Sequence, residues 1–512
     1  MSRIGTCSPL ALPLLLCCFC TLERVLGINY SVPLDLNIAE PPLNLHSVPC
    51  DPPRFSDYNI CTTEKFFIYD HFPPELVSLW PKRDGELRKH YRANNGTGEF
   101  FNKSLGMHET HQFTVFTPIY ERLLNDYRRT LDPAEATAFF IPYDMGFDAA
   151  IKKDSAKIRP QGCPHAEAVI ALLEDNKYFR RNFGYDHFLV QGLNQAMGNF
   201  NMRPACKLFL KGFCENCTKL AIDTYWACGP SPHWHAIPFP SNFHWNSNIS
   251  VPPWAQPDRP RKYAVSFTGS TSSFSRKSVI VRKKMKTDCE KHPECFTNLM
   301  NSHFDVRLSD AAKYVNLDSI FCLNPPGDMP TRKGFFDTIL AGCIPVTTDH
   351  YSAYDQWLWH LGREIHDKTS IYIPKSKFMS KDFNFMQYLV DLVHESEGGR
   401  GLVVDMRRNI AKYAARLQYR LPETSLSQLP PRDATDVIID RVFETNINVS
   451  TLVTTPGDRG DWRSIDKFPF YPVGRKVTRF RLEEGEMRNI TAHNVQLWEH
   501  VFLYPDKTRN SK

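Results

Sequence analysis

SIFCLNPPGDMPTRKGFFDTILAGCIPVTTD, residues 319–349, is the stretch on which the reading of the fold turns. Ile320 to Leu323 is short and apolar, Asn324-Pro325-Pro326-Gly327 makes a turn, and Pro330 suits the first turn of a helix. Gly342 suits a helix C-terminal cap, and Cys343 to Val346 is again a short apolar run. The pattern predicts strand, loop, helix, strand. Phe335, Phe336, Ile339 and Leu340 fall within one stripe of that helix, so it should lie against a sheet.

The polar residues of the same stretch exceed what packing requires. In open parallel sheets ligands bind at the carboxyl ends of strands, and a helix N-terminus with free N–H groups is an anion site. Arg332 falls there, and a guanidinium can hold a diphosphate bidentately and stabilise the charge that grows on it as a leaving group departs. Asp337, further along the helix, can accept hydrogen bonds from ribose hydroxyls. Each has a plainer alternative: Arg332 as a surface residue paired with Asp328 four positions earlier, Asp337 as a solvated helix residue, and Gly327 and Gly342 as turn residues only.

Working outward, short apolar runs alternate with amphipathic segments. KFFIYDHF from Lys65 reads as a buried strand, and TPIYERLLNDYRRT from Thr117 has helical spacing at Ile119, Leu123, Leu124 and Tyr127. AEATAFFIPYDMG and HFLVQGL read as two further strands. Residues 206–262, rich in Pro, Trp and His, read as loop. YAVSFTGS then opens a second unit with a strand that ends in a turn at Gly269. The alternation predicts an α/β chain with largely parallel sheets in two units. The boundaries expected are 1–27 for an export segment, 28–63 for a Pro-rich stem, 64–255 and 256–425 for the two α/β domains, and 426–512 for an extension.

Composition is that of a globular protein, 42% hydrophobic and 23% charged over 512 residues, and the net charge of +6 contains no basic block of the kind that tracks a nucleic acid. The uncharged run from Ile4 to Leu22, preceded by Arg3 and followed by Glu23 and Arg24, is an export signal, either cleaved near Val25 and Gly27 or kept as a signal anchor. Of 15 cysteines, eleven lie beyond it, where disulfides are expected. Cys50 with Cys61 and Cys289 with Cys295 are the expected short-loop pairs, and Cys206, Cys214, Cys217 and Cys228 a stapled loop rather than a zinc site. Sequons at Asn95, Asn102, Asn216, Asn248, Asn448 and Asn489 agree with a lumenal chain.

The string FCLNPPGDMPTRKGFFDTILAGCIPV resembles the signature of exostosin-like glycosyltransferases (glycosyltransferase family 47), through Gly327-Asp328, Arg332, Asp337 and Gly342-Cys343-Ile344-Pro345-Val346. FFIYDHFPPEL, TLDPAEATAFFIPYD, GYDHFLV and YAVSFTGS occur in the family's order, so the resemblance covers about residues 65–400. It implies GT-B architecture, two Rossmann-like domains facing a cleft, and inverting transfer from a UDP-sugar held by the second domain to a glycan acceptor facing the first. It implies a donor site drawn from Gly269, Arg276, Gly327, Asp328, Arg332 and Asp337. Where relatives carry an Arg-Gly pair after the strand like YAVSFTGS, this chain has TSSFSRKSVIVRKK, with Arg276 and Arg282 as substitutes. The chain contains no D-x-D triplet, so neither a metal nor another cofactor is expected. The place expected is the Golgi lumen, as a type II membrane protein or as a lumenal one after cleavage, alone or in homo- or hetero-oligomers.

Inverting transfer needs a general base on the acceptor side. Asp144, at the end of the strand in FFIPY, and Asp186 and His187, ahead of another strand, are the candidates. A catalytically inactive glycan-binding partner subunit is the competing function. A hydrolase working through paired carboxylates is disfavoured, because no acid pair stands in a recognisable context.

Overall fold

The computed structural model describes residues 64–70, 72, 93–145, 148, 163, 165–192, 206, 208–224, 233–245, 251–271, 273, 275–299, 314–353, 356–420 and 432–450. The export segment, the stem, Cys50, Cys61, Cys228, the sequons Asn248 and Asn489, the side chain of Asn448 and residues 451–512 lie outside them.

The first half holds β1 (Phe66–Ile68), β2 (Phe100–Asn102), β3 (Met107–His108), α1 (Phe116–Leu124), β4 (Arg129–Thr130) and β5 (Ala138–Phe140). It continues with α2 (Ala166–Glu174), α3 (Lys177–Asn182), β6 (His187–Gln191), β7 (Thr218–Ala221) and β8 (Trp234–Ala236). Strands β2 and β3 form a small antiparallel ribbon, and the other six make one parallel sheet in the order β4-β1-β5-β6-β7-β8. β1, β5 and β6 are buried throughout, as expected of strands covered on both faces. That is why they read as apolar runs and not as alternations.

The second half holds β9 (Tyr263–Gly269), α4 (Arg276–Glu290), β10 (Cys295–Leu299), β11 (Ser319–Asn324), α5 (Lys333–Leu340), β12 (Ile344–Thr347), α6 (Arg363–Thr369) and β13 (Ile371–Tyr372). After them come α7 (Lys375–Met379), α8 (Phe385–His394), α9 (Leu402–Tyr413) and α10 (Ala434–Ser450). Its sheet is again parallel, in the order β10-β9-β11-β12-β13, with Val265 opposite Phe321 and Phe321 opposite Ile344. Counted within each sheet, both follow the doubly wound order 2-1-3-4-5, which the first extends by one strand. In that order the chain reverses direction across the sheet between the first and third strands, and the crevice outside their carboxyl ends is the ligand-binding position. The two reversal points are β1/β5 and β9/β11.

The strand–loop–helix–strand pattern of residues 319–349 appears as β11, α5 and β12, with Phe335, Phe336, Ile339 and Leu340 all buried. Gly342 has φ +72, the left-handed conformation that ends a helix. Pro330 differs from expectation. It lies in the loop, because Arg332 keeps an extended backbone (φ −146, ψ 140) and α5 starts only at Lys333.

Residues 206–262 are not all loop either: β7 and β8 lie there, and their aromatic, histidine and lysine content hid the strand pattern. Helix α9 ends at Tyr413. The return to the first half follows it. The Gln418 side chain accepts from Trp245 N, and Tyr419 OH donates to Pro238 O at 2.7 Å. Beyond residue 425, the described part of the expected extension is the helix α10, packed into the body. Arg122 and Arg128 of the first half pair with Asp436, and Phe443 meets the Phe66 ring at 6.5 Å.

Disulfides join Cys163–Cys206, Cys214–Cys217, Cys289–Cys295 and Cys322–Cys343. Cys289–Cys295 is the expected short loop. Cys206 departs from the expected cluster by reaching back to Cys163, 43 residues away in sequence. The sequon Asn216 is closed in the folded chain: its side chain is buried and donates to Phe183 O, and Thr218 is buried in β7. Asn95, in a turn with φ +57, is exposed.

Candidate active site

The carboxyl ends of the two sheets meet at a seam. At the end of β7, Ile222 O accepts from Trp357 Nε1 at 3.0 Å, and Thr224 N donates to Gln356 Oε1 at 2.9 Å. Trp357 and Gln356 follow β12, so the two halves grip each other at the ends where parallel sheets bind ligands.

On the second-half side, the reversal point β9/β11 carries two guanidinium groups. Arg282 of α4 laces the two strand ends together: Nη1 donates to Ser270 O at 2.7 Å and Nε to Pro326 O at 2.9 Å. Ser278 adds a bond to Gly327 O at 2.7 Å. Arg332 folds back over the same turn. A Cβ on Gly327 would lie 1.2 Å from Arg332 Nη2, so residue 327 has to be glycine for Arg332 to take this place.

The electrostatics show how close these groups are. Burial, and after it the charge of Arg332, pushes Arg282 down to about 10, with Asp328 opposing. Burial also lowers Arg332, offset in part by Asp328 and Asp223. Asp328 accepts from Ser273 Oγ at 2.8 Å, and its charge favours the charged form of Arg332. Among the described residues nothing accepts a hydrogen bond from Arg332, and its Nε–H is buried with no partner. A guanidinium with an unmet donor, beside a second cation that is tied to the strand ends, is an arrangement that can receive a multiply charged anion.

The remaining expected donor-site residues take different places. Gly269 ends β9 with φ +144, a backbone conformation that favours glycine, and a Cβ there would meet Arg282 Nη1 at an ordinary contact of 3.7 Å. Arg276 begins α4 and is exposed. Asp337 lies one turn into α5, where Oδ1 accepts from Asn242 N at 2.7 Å and both oxygens accept from Lys333 Nζ, mooring the helix to the loop after β8.

Of the acceptor-side candidates, Asp144 follows β5 at the first sheet's reversal point and is buried. A Cβ on Gly192, at the end of β6, would lie 3.8 Å from Asp144 Oδ1 and 2.8 Å from Phe113 O, so the backbone there is closely approached. Asp186 and His187 sit at the other end of the sheet, at the start of β6. His187 is fully buried, linked through Nδ1 to Asp186 at 2.7 Å and through Nε2 to Tyr69 OH at 2.6 Å, and stacked on Phe139. Burial opposes ionisation of Asp186, but His187, Asn182 and Arg181 outweigh it and hold the carboxyl below its usual range. Asp223, Thr331 and His111 also stand at the seam, and sequence reasoning missed them. The Asp-Thr pair after TKLAI was the available signal, hidden because residues 206–262 read as loop. His111 is pushed down to about 4 by burial and by Lys333 across the seam.

Two parallel α/β units joined at their carboxyl strand ends are the architecture of GT-B glycosyltransferases. A family model for the exostosin GT47 domain matches residues 60–383, and the chain belongs to that family. Its relatives include three Arabidopsis thaliana proteins. The xyloglucan-specific galacturonosyltransferase 1 is 28% identical over 69% of this chain and 52% of its own length. The probable xyloglucan galactosyltransferase GT19 is 26% identical over 70% and 83%. The xyloglucan galactosyltransferase MUR3 is 28% identical over 66% and 54%. Among solved structures, the pneumococcal O-GlcNAc transferase GtfA in complex with UDP and GlcNAc covers 54% of the chain at a TM-score of 0.25 and 9% identity. The chain thus spans about half the length of two of these relatives and most of the third.

Proposed function

We propose that this glycosyltransferase moves a galactosyl or galacturonosyl residue from a UDP-sugar to a xyloglucan-type polysaccharide, with inversion and without a bound metal, in the Golgi lumen. The observation that carries the reading is the Arg332 guanidinium, its donors unmet, beside Arg282 at the β9/β11 reversal point. A hydroxyl oxygen of the acceptor attacks the anomeric carbon as the bond to the β-phosphate oxygen breaks. The charge that grows on the leaving diphosphate falls to Arg332, with Arg282 holding the loop beneath it. The hydroxyl proton passes to a carboxylate on the first half, where Asp144 stands at the matching strand end. The lack of a D-x-D triplet supports a donor site in which cationic side chains take the place of a divalent ion. The choice of sugar and acceptor is supported by the relatives' names. The four disulfides among the described residues support an oxidising compartment.

The test is transfer by the full-length protein to xyloglucan oligosaccharides across a panel of UDP-sugars, in EDTA. One UDP-sugar should be consumed, and Arg332→Ala should lose about 10²- to 10³-fold in kcat with an unchanged Tm. Absence of both transfer and UDP binding would leave the partner-subunit function in its place.

A further inference from the structure

Asp223 lies just past β7, on the acceptor-side half, and is fully buried. Its Oδ2 accepts a hydrogen bond of 2.7 Å from Thr331 Oγ1, whose side chain is also buried and whose neighbour in sequence is Arg332. The bond links residues 108 apart in sequence and crosses the seam. It acts on a short segment of special shape: Thr331 and Arg332 are the last residues before α5, and Arg332 is extended there. The direction in which the guanidinium leaves the chain is therefore set by this link on one side and by the bare backbone of Gly327 on the other. Asp223 also acts through space, since its charge offsets part of the desolvation of Arg332. A carboxylate so placed must repel a diphosphate that approaches the same guanidinium.

We propose that Asp223 is a positioning residue for Arg332: through Thr331 it fixes the guanidinium where the leaving diphosphate needs it, and through its charge it limits how tightly the spent nucleotide is held. The inference rests on the reading of Arg332 as the diphosphate ligand. It gives the acceptor-side half a direct part in building the donor site, so the site is complete only when the two halves are together.

The test pairs steady-state transfer with calorimetric titration of UDP into the full-length protein. Thr331→Val removes the hydroxyl at nearly constant volume, and Asp223→Ala removes its acceptor. Each should lower kcat about 10- to 100-fold with a donor KM within about threefold of wild type. Because both break one link, the double variant should be no worse than the poorer single one. Thr331→Ser, which keeps the donor, should recover most of the turnover. Asp223→Asn keeps an acceptor for Thr331 but drops the charge, and it should bind UDP several-fold more tightly, a change that loss of packing would not produce.

Multiplying losses in the double variant, or Asp223→Asn and Thr331→Val enzymes with wild-type kcat and UDP affinity, overturn the proposal. If Arg332→Ala leaves UDP affinity unchanged, the diphosphate reading itself falls. If Arg332→Ala weakens UDP while the Asp223 and Thr331 variants are silent, only this inference falls.

Discussion

Gly327 shows how one missing side chain shapes the site. It has no unusual backbone conformation, and its identity is set by the Arg332 guanidinium lying where a Cβ would be. Gly327→Ala should therefore displace Arg332 and reproduce much of the Arg332→Ala loss of kcat, on the order of 10²-fold, while the fold survives. Circular dichroism and Tm alongside transfer rates check this, and an active Gly327→Ala enzyme would mean that Arg332 reaches its substrate from elsewhere. The resemblance singled out Gly327 and Arg332 from sequence, but not their contact. No periodicity encodes a side chain that folds back five residues onto its own loop. Asp223 and Thr331 were illegible for a related reason: they meet across 108 residues, and neither sits in an apolar pattern.

Among elements, α5 joins packing to chemistry. Its apolar stripe was legible because four large residues recur at helical spacing. Its start was not, because Pro330 is an ordinary helix opener and only the extended backbone of Arg332 delays the first turn. Strands β1, β5, β6, β9, β11 and β12 were legible as buried apolar runs. β7 and β8 were obscured by Lys219, Trp234 and His235, of which Lys219 is fully buried only because its ammonium bonds Glu215 O and Cys217 O. The Asp337 mooring yields a prediction at this scale. Asp337→Ala strips the Asn242 N–H of its acceptor and Lys333 of its partner, and should cost about 1–3 kcal/mol, read as a lower Tm. A variant with normal Tm but weakened UDP binding would instead make Asp337 a ribose ligand.

At the scale of the molecule, several buried histidines set a limit on acid tolerance. Burial pushes His108 down to about 4 and His360 down to about 3. Burial, with Lys219 and His235 after it, pushes His233 down to about 3. All are neutral in the folded chain and titrate near 6.5 when unfolded, so the unfolded state binds more protons as pH falls. Their stabilising contribution is fully present above about pH 6.5 and is lost as pH falls from there towards 4, each unit of depression being worth about 1.4 kcal/mol. Thermal unfolding followed from pH 7.5 to 4.5 should show a Tm that declines steadily below 6.5. A flat profile would mean that these rings are hydrated in solution. The two-unit α/β architecture was readable from the alternation of runs. The joining of the units was not, since its contacts pair distant segments.

The return of α10 to the first half bears on how the protein is made. Phe443 lies against Phe66 of β1, and Arg122 and Arg128 meet Asp436, so the half built first is completed by nearly the last described residues. During synthesis the N-terminal sheet must wait, its flank uncovered, while the whole second half is translated and folded. A chain that stops before residue 434 lacks this cover and leaves Phe66 of β1 without its Phe443 neighbour, an exposed apolar surface of the kind that chaperones bind.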